Sequence, residues 1–261
     1  YFAKVLNAPN WIGIRVTIDN HKLDLAKCKV ENFRRELDMK VGLLSRSFTA
    51  TLPDGKILRV DSKRFCSMAR GEVGAIRYAI TPVNFSSKGT LCIYVDADVV
   101  NKDSNYDEKF WEEVGKEATE GRAIVTAQTK KTFFHVTTGM CYTIMSEGRK
   151  TQLDRVNIEQ REKFAGNVIQ LNFLEGKELV VYKYGAVLSS ENHPKEKLLS
   201  QCNKVLDDAM AAGFDALLEE HVKVWAHKWE ECDITIEGDV AAQQGIRFNI
   251  FQLTQTYTGE D

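Results

Sequence analysis

Apolar and polar side chains alternate one by one along most of residues 1–193. The pattern is regular in residues 12–18, 48–52, 76–80, 91–97, 134–144, 169–173 and 180–188. Because successive side chains of a β-strand point to opposite faces, this alternation predicts half-buried strands. The turn-forming runs Asp19-Asn20 and Pro53-Asp54-Gly55 join such segments and predict hairpins. We therefore expect a mainly β fold, a large antiparallel assembly of packed sheets without βαβ units.

The apolar spacing changes from two to 3.6 residues after Pro194, which suits a first helical position. A helix is predicted up to Gly213, a second through residues 214–229, and a third after Asp239, a residue type that caps helices. Ile234 and Ile236 predict a short extended crossing. We expect a β unit over residues 1–193, a helical hairpin over 194–232 and a linker strand with a helix over 233–261.

Composition excludes several function classes. The chain has 261 residues, of which 43% are hydrophobic and 28% charged, and its net charge is -2. These values predict a globular core and argue against binding to nucleic acid or to a membrane surface. No run of 18 apolar residues exists. The six cysteines are all at least 26 positions apart, which predicts free thiols, no zinc site and a cytosolic location.

Acidic residues after position 95 have part of a calcium-loop pattern. Counted from Asp96, however, the sixth and twelfth positions hold Asn101 and Asp107, where an EF-hand needs Gly and Glu. No phosphate loop, dinucleotide fingerprint or nucleophile elbow is present either. We therefore predict no metal, no cofactor and no catalytic residue in this chain.

Three conspicuous side chains lie in the apolar stripe of the second predicted helix. His221 would be a metal ligand or a packing residue, and packing is favoured because no second His shares its helical face. Trp225 and Trp229 are four residues apart, so they would pack in the core or stack on a sugar. Packing is again the favoured interpretation.

The terminal helix has two apolar faces. Ile246, Ile250, Leu253 and Tyr257 follow helical spacing, while Phe248 and Phe251 form a second stripe. This exceeds what one sheet can cover, so the helix is expected to protrude or to pack against a neighbouring copy. The chain also begins without Met. We interpret it as a fragment whose partner domain is missing.

Several segments together resemble one family of sugar enzymes. They are Leu6-Asn7-Ala8-Pro9-Asn10-Trp11-Ile12-Gly13-Ile14, residues 23–25, 33–39, 43–48, 104–113 and 229–239, and, most strongly, Gln244-Gly245-Ile246-Arg247-Phe248-Asn249-Ile250-Phe251-Gln252-Leu253. The chain resembles the amino-terminal domain of glycoside hydrolase family 65, the family of the maltose phosphorylases. The resemblance implies a β-supersandwich of the galactose-mutarotase type, then linker helices, then an α/α toroid that holds the active site outside this chain.

The resemblance also implies a reaction for the intact enzyme. Maltose and inorganic phosphate would give β-glucose 1-phosphate and glucose with inversion; kojibiose, nigerose and trehalose are alternative substrates. One carboxylic acid suffices, because phosphate replaces the water and base of an inverting hydrolase. This chain would shape the active-site rim and support a homodimer. The alternative from another class is an autonomous carbohydrate-binding module.

One long segment supplies candidate rim residues. Residues 101–111 are polar and then aromatic, and they are expected to lead into a short helical run through Val114. Long loops often carry function. Asn105, Tyr106 and Trp111 are the predicted sugar contacts, since they offer an amide and aromatic faces. The alternative is that Phe110 and Trp111 only anchor the loop.

Overall fold

Two antiparallel sheets lie face to face in this protein. The structure, a computed structural model, describes residues 5–102, 108–153 and 155–256. Every strand pair in these ranges is antiparallel. The predicted mainly β fold with helices at its end is therefore confirmed.

The larger sheet has nine strands within the described ranges, in the spatial order β3-β4-β5-β6-β14-β10-β9-β8, with β11 beside β10. Their bounds are β3 Lys29–Asp38, β4 Leu43–Thr51, β5 Ile57–Cys66, β6 Val73–Pro82, β8 Trp111–Thr119, β9 Arg122–Thr129, β10 His135–Ser146, β11 Arg149–Lys150 and β14 Leu179–Ser189. Sequence alternation did not single out β3, because almost all of its side chains are exposed at the sheet edge.

The smaller sheet has five described strands, in the order β12-β13-β7-β1-β2. They are β1 Ile14–Ile18, β2 His21–Lys22, β7 Ser87–Asp96, β12 Val156–Arg161 and β13 Phe164–Phe173. The predicted hairpin turns are both present. Asp19 and Asn20 have φ of 44° and 69°, and Gly55 has φ of 85°, the left-handed values that such tight turns require.

The main core fills the space between the two sheets. Ile80 and Ile144 of the larger sheet are buried there together with Ile18, Ile93 and Ile169 of the smaller one. These residues belong to the alternating apolar sets that predicted strands. Burial of one face of each sheet against the other therefore explains the period-two pattern.

Helices cover the outer face of the larger sheet. After a 3-10 turn at Lys195–Lys197 come α1 Leu198–Ala212 and α2 Phe214–Cys232, separated by Gly213 as predicted. A second cluster joins Leu206 and Leu217 to Ile124 on β9 and Leu188 on β14. The larger sheet is therefore buried on both faces beneath α1.

The last helix, α3 Val240–Thr256, begins where the sequence predicts. The Ala242 backbone N–H donates to Oδ1 of Asp239 at 2.9 Å, which confirms the cap. Phe251 is its buried residue, whereas Phe248 and Leu253 are 45% and 67% exposed. None of the helices in the described ranges is long and apolar enough to cross a bilayer.

One local prediction was wrong. The run through Val114 is not helical but part of strand β8, which pairs with β9 from Trp111 opposite Thr129 onward. A register shift between Glu113 and Gly115 breaks the alternation that would have indicated a strand. Pairing with β9 decides the conformation of this segment.

Candidate functional site

The segment 101–111 connects β7 to β8 in the chain, and Asn7 is hydrogen-bonded at both of its described ends. The Asn7 N–H donates to Oδ1 of Asn101 at 3.0 Å, and its Nδ2 donates to the Val100 carbonyl at 3.1 Å. At the other end, Nε1 of Trp111 donates to the Asn7 carbonyl at 2.9 Å. The Asn101 Nδ2 completes the set with a 2.7 Å bond to the Val5 carbonyl.

The N-terminal stretch that holds these ends is itself fixed on the sandwich. Asn10 and Asp96 form an antiparallel bridge, with backbone N···O distances of 2.7 and 2.9 Å. Trp11 packs its indole over Gly74 and Gly185, where an added Cβ would approach the ring to 2.3 Å. Only glycine leaves room for the indole at these two strand positions. The hydrogen-bonded group of Asn7, Asn101 and Trp111, here called the base of the segment, is therefore held rigidly on the sandwich.

A charged group closes the base on its other side. Nζ of Lys109 lies 2.7 Å from Oδ2 of Asp98, and Nζ of Lys163 lies 3.7 Å from Oδ1. The hydrogen bond from Lys109 lowers the pKa of Asp98, and the same bond raises the pKa of Lys109. Asp98 is therefore ionised and paired at neutral pH. It suits a structural role better than that of a proton donor.

Of the three predicted rim residues, Trp111 lies in the described part of the chain. Trp111 is 5% exposed, its ring belongs to the core between the sheets, and its N–H is satisfied. This placement suits the anchoring alternative and does not present an aromatic face for stacking. Asn105 and Tyr106 lie outside the described residues. Their contact with a sugar stays a prediction.

His221 is a packing residue, as predicted. It is 1% exposed, its Nδ1 accepts from the Met68 N–H at 3.0 Å, and its Nε2 lies 3.2 Å from the Gly42 carbonyl. This pattern corresponds to a neutral ring with hydrogen on Nε2. Burial lowers the pKa of His221. Across the described ranges, no three His, Cys, Asp or Glu side chains are grouped to hold a metal ion.

The two tryptophans of α2 also pack, as the favoured interpretation predicted. Trp225 is 2% exposed and stacks on Phe251 with ring centroids 4.7 Å apart. Nε1 of Trp229 donates to the Met39 carbonyl at 3.0 Å. Gly42 has φ of 61°, and a Cβ there would meet the Trp225 indole at 2.1 Å. The helices are thus fitted closely to the β3–β4 turn.

The sequence alone does not mark Asn7 and Asn101 as the residues that organise the base. Their hydrogen bond spans 94 positions, and a single sequence gives no signal for such a pairing. The one available indication was an amide side chain in each of two segments that lack strand periodicity. That indication is common to many surface loops.

Comparison with known proteins identifies relatives of this chain. The chain is 34% identical to maltose phosphorylase of Bacillus subtilis (strain 168). The alignment covers all of this chain and 34% of that protein. It is 28% identical to kojibiose phosphorylase and 27% to alpha,alpha-trehalose phosphorylase, both of Thermoanaerobacter brockii, over 99% and 98% of this chain and 34% of each relative. The chain therefore spans about a third of the length of these relatives.

A solved structure named "Putative kojibiose phosphorylase from human microbiome" has the same fold, with a TM-score of 0.84 and 23% identity. The similarity covers 95% of this chain and 32% of that one. The family model described as the N-terminal domain of glycosyl hydrolase family 65 matches residues 1–228. This match extends from the N-terminal stretch through both sheets and into α2. The chain thus belongs to glycosyl hydrolase family 65 and contains its N-terminal domain.

Proposed function

We propose that this chain is the non-catalytic N-terminal part of an inverting disaccharide phosphorylase. The observation that carries the proposal is the 34% identity with a maltose phosphorylase over the whole of this chain, which is 34% of that protein. In the intact enzyme, maltose and phosphate are converted to β-glucose 1-phosphate and glucose. The acid that protonates the leaving oxygen belongs to an α/α toroid domain outside these residues.

The chain's own contribution is to form the rim of the active site. The base at Asn7, Asn101 and Trp111 holds both ends of the 101–111 segment on the sandwich. A segment with fixed ends can present Asn105 and Tyr106 to a sugar at low entropic cost. Asn105 supplies amide hydrogen bonds and Tyr106 an aromatic face. Trp111 anchors the end of the segment in the core between the sheets.

Kojibiose, nigerose and trehalose are the alternative substrates. Relatives named kojibiose and trehalose phosphorylases match nearly the whole chain at 28% and 27% identity, not far below the maltose enzyme. The toroid largely sets which disaccharide is used. The proposal includes a cytosolic location, which the six free cysteines favour. It also includes a homodimer, which the exposed apolar side chains of α3 favour.

The test uses the full-length protein that contains this chain. Each of the four disaccharides is incubated with phosphate, and glucose and the anomer of glucose 1-phosphate are followed by NMR. We expect phosphate-dependent formation of the β-anomer. Phosphate-independent hydrolysis, or the α-anomer, would contradict the proposal.

The 261-residue chain alone should release no glucose from maltose and phosphate, because catalysis needs a positioned acid and a phosphate clamp. Titration of the same chain with maltose and longer glucans separates the rim role from an autonomous carbohydrate-binding module. A module would bind sugar without the toroid. A rim that contributes only part of the contacts would bind too weakly to detect.

A further inference from the structure

A cavity of about 330 Å³ opens between the two sheets at the β3–β4–β5 edge. Apolar side chains such as Ile14 and Leu25 form one wall. The opposite wall contains the aromatic rings of Phe33, Phe48 and Tyr78. A volume of this size is within the range of small-molecule sites.

Three arginines line this cavity from adjacent strands. Arg35 on β3 and Arg46 on β4 are direct cross-strand partners. Arg64 on β5 pairs with Leu44, two residues from Arg46, and is therefore the diagonal neighbour of Arg46 on the same face. Like charges in such positions repel and destabilise a sheet. The arrangement therefore costs stability unless an opposite charge offsets it.

The chain does not supply that charge within the described ranges. None of the three guanidinium groups has an ion pair or hydrogen bond with an acidic side chain of residues 5–102, 108–153 or 155–256. Arg34, on the opposite face of β3, differs because it is paired with Glu36. Burial lowers the pKa of Arg64, and the charges of Arg46 and Arg35 lower it further.

The aromatic residues give the cavity a second recognition element. The guanidinium of Arg46 lies 5.4 Å from the centroid of the Phe48 ring. Phe33 stacks on Phe48 with centroids 6.4 Å apart and 24° between the ring planes, and Phe33 is 53% exposed. A flat or weakly polar group next to a bound anion would thus find an accessible ring face.

We propose that this cavity binds an oxyanion of the phosphate class through Arg35, Arg46 and Arg64. Guanidinium groups present planar pairs of N–H donors that match phosphate oxygens, and each remains charged at any physiological pH. The anion removes the repulsion among the arginines. Free phosphate and a phosphate ester of a sugar share this chemistry; in the ester, the sugar lies against Phe33.

The test measures binding of inorganic phosphate and of glucose 1-phosphate to the chain by calorimetry, at constant ionic strength set with chloride. Arg46→Gln should weaken binding at least about tenfold, the effect of losing one charged hydrogen-bonding partner. Arg34→Gln is the matched control, because it removes the same charge from the other face of the sheet. Its affinity should stay within about twofold of the original chain.

Thermal unfolding gives a second readout. A ligand that binds only the folded state raises the melting temperature, so phosphate should stabilise the original chain and Arg34→Gln but not Arg46→Gln. If Arg46→Gln does not fold, Arg64→Gln replaces it with the same expectations. Tighter binding of glucose 1-phosphate identifies the ester as the ligand, and equal affinity identifies free phosphate; either result supports the site.

Three results would overturn it. The first is the absence of heat and of a melting-temperature shift with both compounds, which would leave an acidic protein segment as the occupant. The second is unchanged affinity in the Arg46 and Arg64 variants. The third is an equal loss in Arg34→Gln, which would indicate nonspecific attraction to positive charge.

Discussion

Trp225 and Phe251 stack with ring centroids 4.7 Å apart and an angle of 17° between their planes. This contact joins α2 to α3, whose other large apolar side chains are partly or largely exposed. An ion pair between Arg247 and Asp233, with N···O of 2.7 Å, adds a second link near the helix start. The position of the terminal helix therefore depends strongly on one aromatic pair.

Phe251→Ala should release α3 from α2. Truncating a buried Phe costs about 3–5 kcal/mol, and the Arg247–Asp233 pair, which solvent screens, cannot hold the helix alone. We expect loss of hydrogen-exchange protection in residues 240–256 and a red shift of the tryptophan fluorescence, to which Trp225 contributes. Phe248→Ala, on the exposed side of α3, is the control and should change neither. Unaltered protection in Phe251→Ala would show that other contacts hold α3.

Deletion of the residues after Gly238 should change the association state. Phe248 and Leu253 expose apolar surface on α3, and such surface promotes contact between copies. We expect the chain to associate with rising concentration in light scattering and the shortened chain to associate less. Because deletion also uncovers Trp225, Phe248→Ser with Leu253→Ser provides a second test. Association and solubility that stay the same in both would refute the exposed-helix prediction.

Lys183 should make stability depend on pH. It is fully buried, and its Nζ donates to the carbonyls of Gly13 and Tyr94 at 2.8 Å each. Burial holds the pKa of Lys183 well below its ordinary value. The unfolded chain keeps this proton up to about pH 10.4, so it binds more protons than the folded chain between the lowered pKa of the folded state and that pH. This group's contribution to the free energy of unfolding therefore rises with pH toward about 10 and is lost as pH falls through the folded pKa.

The measurement is urea unfolding of the original chain and Lys183→Met between about pH 6 and about pH 9. The difference in unfolding free energy, original minus variant, should increase with pH. Taking the difference cancels the titration of buried thiols and phenols that both proteins share. Lys204→Met, on an exposed position of α1, should give a pH-independent difference. A flat difference for Lys183→Met would show that its ammonium stays charged when buried.

Asn101→Ala should destabilise the base of the 101–111 segment. It removes the acceptor of the Asn7 N–H and the donor to the Val5 carbonyl. Leaving such groups unpaired costs about 1–3 kcal/mol. We expect a lower melting temperature in thermal denaturation. A melting temperature equal to that of the original chain would mean that water replaces both bonds.

Asn105→Ala combined with Tyr106→Ala, unlike Asn101→Ala, should change the kinetics of the full-length enzyme and not its stability. If these side chains contact the disaccharide, its Michaelis constant rises because binding interactions are lost, while thermal stability stays nearly constant. Steady-state kinetics and a melting curve on the same preparation decide this. A large loss of stability with unaltered kinetics would show that the segment only holds the fold together.

Local patterns in the sequence determined the type and order of most elements. Alternation predicted β4, β6, β7, β10, β13 and β14, and helical spacing with Gly213 and Asp239 predicted the boundaries of the helices. Such features depend on neighbours within a few positions, so a single sequence contains them. The same is true of His221, whose place in an apolar helical stripe already favoured packing.

Only the tertiary structure decided which distant residues meet. The pairing of β8 with β9 overrode the expected helical run at Val114. Asn7 reaches Asn101 across 94 positions, and Lys183 becomes fully buried in a strand whose local pattern did not exclude an exposed lysine. Arg35, Arg46 and Arg64 share one face because strand register aligns them. Register and sheet packing are set by the sum of many long-range contacts, and local periodicity does not determine that sum.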